Sequence, residues 1–197
     1  MRVRSILRFA YSFVSYKLGR PKLSYVIYLC TARCNLRCHF CNLWRERRPE
    51  LETEDALKIM KELADFGVAV IGFTGGEPTM WRDLEKLSST ARSLGVFTSL
   101  STNGTMINRR RARKIGKSFD IVNVSLDGFK EVHDSVRGIP GTFEAAMRGI
   151  KNLKESGVKV GICLTIHNKN FHQVLDVVKF FRVLGCCTRL CRFLGRL

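Results

Sequence analysis

Three cysteines, Cys34, Cys38 and Cys41, stand at spacings of four and three in the octet CNLRCHFC, with Phe40 immediately before the last. Three thiolates are one short of a closed structural zinc site, and no second CxxC pair follows at the distance a zinc knuckle needs. Thiolates are also the usual ligands of iron–sulfur clusters, and a complete cubane takes four of them. Three cysteines would leave one iron open to a bidentate small molecule, such as an amino acid offering its amine and carboxylate. The chain has eight cysteines. Cys30 and Cys163 lie inside apolar runs and read as buried thiols, whereas the trio is interleaved with Asn, Arg and His. A secreted disulfide scaffold is usually small and loop-rich, and this sequence is rich in helix and strand patterns, which points to a reducing cytoplasm.

These residues need a scaffold, and the chain is regularly punctuated. Residues 25–30, YVIYLC, read as a buried strand. TEDALKIMKELADF, residues 53–66, reads as a helix that Thr53 can cap, with Glu54 and Asp55 at the positive end of its dipole and Gly67 ending it. The apolar, β-branched VAVIGFT follows. The same grammar repeats in helices at 83–94, 108–115, 142–156 and 171–184, which stop at Gly95, Gly116, Gly157 and Gly185. Strands VFTSL, DIVNVSL and VKVGICLTI follow the first three of these glycines. Such alternation implies parallel pairing in an α/β sheet, either doubly wound or curled as a barrel. The cysteine loop, TGGEP (74–78), STNG (101–104) and SLDG (125–128) each follow a strand. All would then share the carboxyl rim where such folds bind ligands. Each dipeptide alone reads as a turn; four on one rim read as a site.

With the cysteine motif, GGEP, STNG, SLDG and HDSVRGIPGTFE (133–144), residues 23–184 resemble the radical S-adenosylmethionine (SAM) enzymes. They are most similar to the branch of molybdenum-cofactor biosynthesis, sulfatase-maturating and peptide-modifying enzymes. The resemblance implies an open, partial parallel β/α barrel of about five strand–helix units. It implies a 4Fe–4S cluster on Cys34, Cys38 and Cys41, with SAM chelating the fourth iron. By the same resemblance Gly75, Gly76 and Glu77 receive the methionyl amine and Pro78 fixes the turn. Ser101, Asn103, Ser125 and Asp127 supply polar contacts, the last two to the ribose, and Arg137 pairs with the SAM carboxylate. The chemistry implied is reductive cleavage of SAM to a 5′-deoxyadenosyl radical that abstracts hydrogen from a peptide or a small cofactor precursor. A one-electron donor such as ferredoxin or flavodoxin would feed it. His39 and His133 read as structural or solvent-facing.

The net charge is +17, and +10 of it falls in residues 1–48, where Glu46 is the sole acid. Such a field favours anionic partners, an RNA-modifying role among them. However, RRRARK at 109–114 lacks the interleaved aromatics of a base-stacking surface and reads as a solvated helix face. Residues 1–22 form a separate basic, amphipathic segment; its SILRFAYSFVSYKL (5–18) reads as a helix packed on its own domain, with contact to a membrane surface as the alternative. The core spans 23–185. After Gly185 the grammar fails: CCTRLCRFLGRL (186–197) has three Cys and three Arg and no β-branched run. The expectation is an aberrant tail, from a frameshift or premature end, leaving the outer edge of the fifth strand unpaired; a truncated fragment that binds the cluster without turning over is then the alternative to a competent radical SAM enzyme.

Overall fold

A computed structural model describes residues 3–20 and 22–192. Six strands form one open, fully parallel sheet in sequential order: β1 (Tyr25–Leu29), β2 (Val70–Thr74), β3 (Phe97–Thr102), β4 (Ile121–Ser125), β5 (Lys159–Ile166) and β6 (Cys187–Arg192). A sequential order never reverses direction across the sheet. It therefore excludes the doubly wound arrangement and keeps the crossover helices on one face.

Helices α2 (Thr53–Asp65), α3 (Leu84–Ser93), α4 (Arg109–Ser118), α6 (Thr142–Glu155) and α7 (Val174–Val183) cover that face, and α1 (Val3–Lys17) precedes the sheet. Alternate strand residues Ile71, Phe73, Leu100, Val122, Val124, Ile162 and Leu164 are buried in one core with Met60, Leu84, Leu87, Ile115, Leu153 and Phe181 of the helices. Phe73 and Phe119 meet edge to face at 5.5 Å. The intervening residues, Ser99, Ser101, Asn123 and Ser125 among them, are only partly buried. The period of two thus separates an apolar face under the helices from a more polar concave face.

Six expectations need correction. β1 is not a buried strand: Tyr25, Ile27 and Leu29 are exposed, and Val26 and Tyr28 between them pack against the core. Thr53 does not cap α2; Glu52 holds the cap position without a side-chain bond, while Thr53 Oγ1 donates to Asp83 (2.6 Å). Gly116 does not end α4, which runs on to Ser118; a Cβ there would stand 2.7 Å from Ser156 Oγ, so close packing is what calls for glycine. An additional helix, α5 (Lys130–Arg137), lies within the stretch HDSVRGIPGTFE and just before it. Residues 187–192 are a regular strand. β6 pairs with β5 from Gly161↔Cys187 to Ile166↔Arg192, so the outer edge of β5 is covered and the grammar continues to Arg192; the rest of the expected tail, 193–197, lies outside the described residues. Finally, Cys163 is half-buried on the concave side, opposite Ser125 in register, rather than in the core.

Candidate cluster- and SAM-binding site

The cysteine loop leaves β1 and is held by backbone from two directions. From one side comes the GGEP loop: Gly76 N–H donates to the Thr31 carbonyl and Glu77 N–H to the Arg33 carbonyl, both at 2.7 Å. A Cβ on Gly76 would lie 2.3 Å from the Arg33 carbonyl oxygen and 2.5 Å from that of Ala32. Glycine is therefore required for contact between two protein loops. From the other side, the carbonyls of Val136 and Arg137 in the last turn of α5 accept from His39 N–H and Arg37 N–H, each at 3.1 Å. Those carbonyls have no partner within their helix, so the loop's amides satisfy them.

Polar side chains buried at the rim are tied to one another. The Glu77 carboxylate, fully buried, accepts from Thr79 N–H (3.0 Å), Thr79 Oγ1 (2.6 Å), Thr102 Oγ1 (2.6 Å) and Asn103 N–H (2.7 Å). It pins the single 3₁₀ turn Pro78–Met80, which begins at Pro78, to the end of β3. Asn103 Nδ2 donates to Asn35 Oδ1 and Asn35 Nδ2 to Thr105 Oγ1, both at 2.8 Å. Thr105 Oγ1 closes the ring by donating to Asn103 Oδ1 (2.7 Å). This ring fastens the cysteine loop to the loop after β3.

Asp127 and Arg137 form a buried ion pair at 2.7 Å. The second Asp127 carboxylate oxygen accepts from Thr165 N–H (3.0 Å), and Arg137 Nη1 lies 3.6 Å from Cys38 Sγ. Burial pushes the Cys38 thiol up, and the Arg137 guanidinium partly offsets this. Burial raises Cys34 as well. Metal coordination to these thiols would therefore release protons. Buried His133 accepts from Asp127 N–H (3.1 Å); burial, then the Arg137 charge, lowers it to about 4, so it is neutral and structural, while His39 is exposed.

These parts line an open cavity of about 150 Å³. Cys34, Cys38 and Cys41 line it together with Gly75, Gly76, Ser101, Asn103, Ser125 and Arg137. Glu77, Pro78 and Asp127, by contrast, act behind the cavity wall. Sequence reasoning missed Trp44, whose indole ring has Arg37 at 4.6 Å and Arg45 at 4.7 Å. It also missed Asn35, although that residue stands inside the cysteine octet. Trp44 Nε1 and Arg137 Nε are buried and have no hydrogen-bond partner among the described residues, and both side chains border the cavity. Two orphan donors and three thiols around one space suit a sulfur-ligated cluster with a small molecule that carries a carboxylate beside it. No three His, Cys, Asp or Glu side chains among the described residues converge as a single metal ion would require. The thiolates of a cluster bind different irons and stand farther apart.

The family model for the radical SAM superfamily matches residues 28–181. The chain belongs to this superfamily. Its members are enzymes that use SAM and an iron–sulfur cluster, so these are the cofactors of this domain. The chain is 41% identical over 172 residues to Fe-coproporphyrin III synthase of Methanosarcina barkeri, a match that covers 85% of this chain and 42% of that protein. It is 36% identical over 172 residues to the AdoMet-dependent heme synthase of Oleidesulfovibrio alaskensis, covering 85% and 44%. The chain thus spans less than half the length of these relatives. Among solved structures, native anSMEcpe with bound AdoMet and the Kp18Cys peptide superposes with a TM-score of 0.77 at 26% identity, covering 90% of this chain and 53% of that one. No helix among the described residues is long and apolar enough to cross a membrane.

Proposed function

We propose that this chain is the cofactor-binding domain of a radical SAM enzyme acting on a tetrapyrrole precursor. The observation that carries the reading is the convergence of Cys34, Cys38, Cys41 and the orphaned Arg137 Nε on one cavity. The three cysteines would hold a 4Fe–4S cluster. When bound, the cluster supplies the electron that splits SAM into methionine and a 5′-deoxyadenosyl radical, which abstracts hydrogen from the substrate.

The protein's own part is positioning. The Gly76 and Glu77 amides donate to the cysteine loop; a methionyl ammonium is itself a donor, so carbonyl oxygens of the GGEP loop are the groups that would accept from it. Ser101, Asn103 and Ser125 face the space where a ribose would sit. Arg137 Nη2 and Nη1 face Asp127 and Cys38, and Nε, the guanidinium nitrogen without a partner among the described residues, would donate to the SAM carboxylate. Asp127 then acts through Arg137, and Glu77 through the loop it pins. The substrate class rests on the two named relatives, both tetrapyrrole synthases. A peptide is the second reading, favoured by the likeness to a solved structure that holds one.

Anaerobic reconstitution tests the centre. Wild type should bind about four irons per chain; Cys38→Ala should lose them, and Cys163→Ala, which alters a thiol outside the trio, should keep them. Dithionite and SAM should yield methionine and 5′-deoxyadenosine. Stoichiometric zinc without iron–sulfur absorbance would overturn the reading.

A further inference from the structure

Helix α1 is amphipathic but is mounted with its polar side inward. Ser5, Ser12 and Ser15 are its buried residues. Ser5 Oγ donates to the Gly95 carbonyl at 3.0 Å. Arg8 donates through Nη1 to the Val68 carbonyl (2.9 Å) and through Nη2 to the Leu94 carbonyl (3.2 Å). All three acceptors lie just before β2 and β3, at the end of the strands opposite the cysteine rim. The helix is thus strapped by polar bonds to the floor of the sheet.

At about 100° per residue, Val3, Ile6, Leu7, Phe13 and Val14 fall on the side turned away from the serines. All five are exposed, Val3 at 72% and Leu7 at 62%. Phe9 and Tyr16 flank this stripe on one side and Tyr11 on the other, and these rings are exposed too. A contiguous apolar face in water marks a surface that something else covers.

Charge decides between the candidate covers. No acidic residue precedes Glu46 in the sequence. Arg4, Lys17, Arg20 and Lys22 accompany the helix, with the Lys17 ammonium 5.7 Å from the Phe13 ring centroid and that of Lys22 4.8 Å from the Tyr11 ring. Packing α1 against α1 of a second copy would bring two purely cationic helices together and desolvate Lys17 within the contact. A bilayer with anionic headgroups accepts both features: the apolar stripe enters the acyl boundary, while lysine and arginine stems carry their charges up to the phosphates. We propose that α1 is a docking helix that seats this domain on an anionic membrane surface, with the cysteine rim at the opposite end of the strands and directed away from the lipid. The proposal does not depend on the chemistry assigned to the rim.

Sedimentation of the reconstituted full chain with vesicles tests it. Phosphatidylcholine vesicles containing about 30% phosphatidylglycerol should bind the protein at least about tenfold more tightly than pure phosphatidylcholine, and about 0.5 M salt should weaken the binding. Leu7→Glu with Val14→Glu should abolish binding without loss of helical circular dichroism, since both positions are exposed. A Val14→Trp reporter should shift its emission to the blue on anionic vesicles. Failure of wild type to bind either vesicle would overturn the proposal. So would undiminished binding by the double variant, or a dimer in light scattering that the double variant disperses, which would assign the face to a second copy.

Discussion

At the carboxyl ends of the strands, Glu77, Asn103 and Asp127 are buried polar side chains joined to neighbouring loops by hydrogen bonds and an ion pair. At the amino ends, helix α1 buries serines and turns valine, leucine and phenylalanine to the outside. The contrast separates two ways of preparing a surface. Buried polar groups that are fully matched hold one geometry, which a site with several ligating groups needs. An exposed apolar face tied on by a few side-chain bonds has little holding it in one shape and is suited to contact. The rim should therefore be intolerant of substitution and the outer face of α1 indifferent to it.

The largest break in that comparison should come from Arg137→Met. It leaves the Asp127 carboxylate buried without its ion partner, a change that costs about 3–5 kcal/mol. Urea unfolding should show the loss, and the cluster should be retained less well because Cys38 loses its cationic neighbour. Gly76→Ala comes next. Its Cβ meets backbone oxygens, which cannot turn aside as a side-chain end would, so the cost should reach about 3 kcal/mol, the upper end for overpacking. Iron retention should fall along with the midpoint of unfolding.

A pH effect of intermediate size belongs to His133. Its folded value of about 4 lies below the ordinary 6.5. Below 6.5 the unfolded chain takes up a proton that the buried imidazole refuses, so stability present at neutral pH is lost as the pH falls toward 4. At pH 5 the loss should be about 2 kcal/mol. His133→Gln, which keeps an acceptor for Asp127 N–H, should flatten this part of the profile. The smallest effect should come from Leu7→Glu: a change within about 0.5 kcal/mol, as for other exposed positions away from special features. A large loss of stability there would mean that the outer face of α1 is covered within this molecule, and the contrast between the two ends would collapse.

The sequence by itself determined the strand–helix alternation, because the local rules behind it are strong. Buried parallel strands demand β-branched apolar runs, and helices end where glycine can take a positive φ. Gly67, Gly95, Gly157 and Gly185 do so, at 97°, 84°, 79° and 69°. It also determined which thiols share a loop, since that is a matter of spacing alone. Five rulings needed the tertiary structure. Gly116 obeys close packing against Ser156 rather than the helix-ending rule. β6 forms without a β-branched run, with Thr188 its one β-branched residue, because the open edge of β5 offers a main-chain ladder that depends little on side-chain type. Gly76 serves contact between two loops distant in sequence. Asp127 and Arg137, ten positions apart and each assignable to a ligand on its own, turn out to be each other's partner. The orientation of α1 belongs with these: its periodicity shows two faces, and only the carbonyls of Val68, Leu94 and Gly95 decide which one turns inward. Periodicity and spacing are properties of neighbours along the chain, whereas the pairing of buried polar groups depends on which distant segments arrive at the same place.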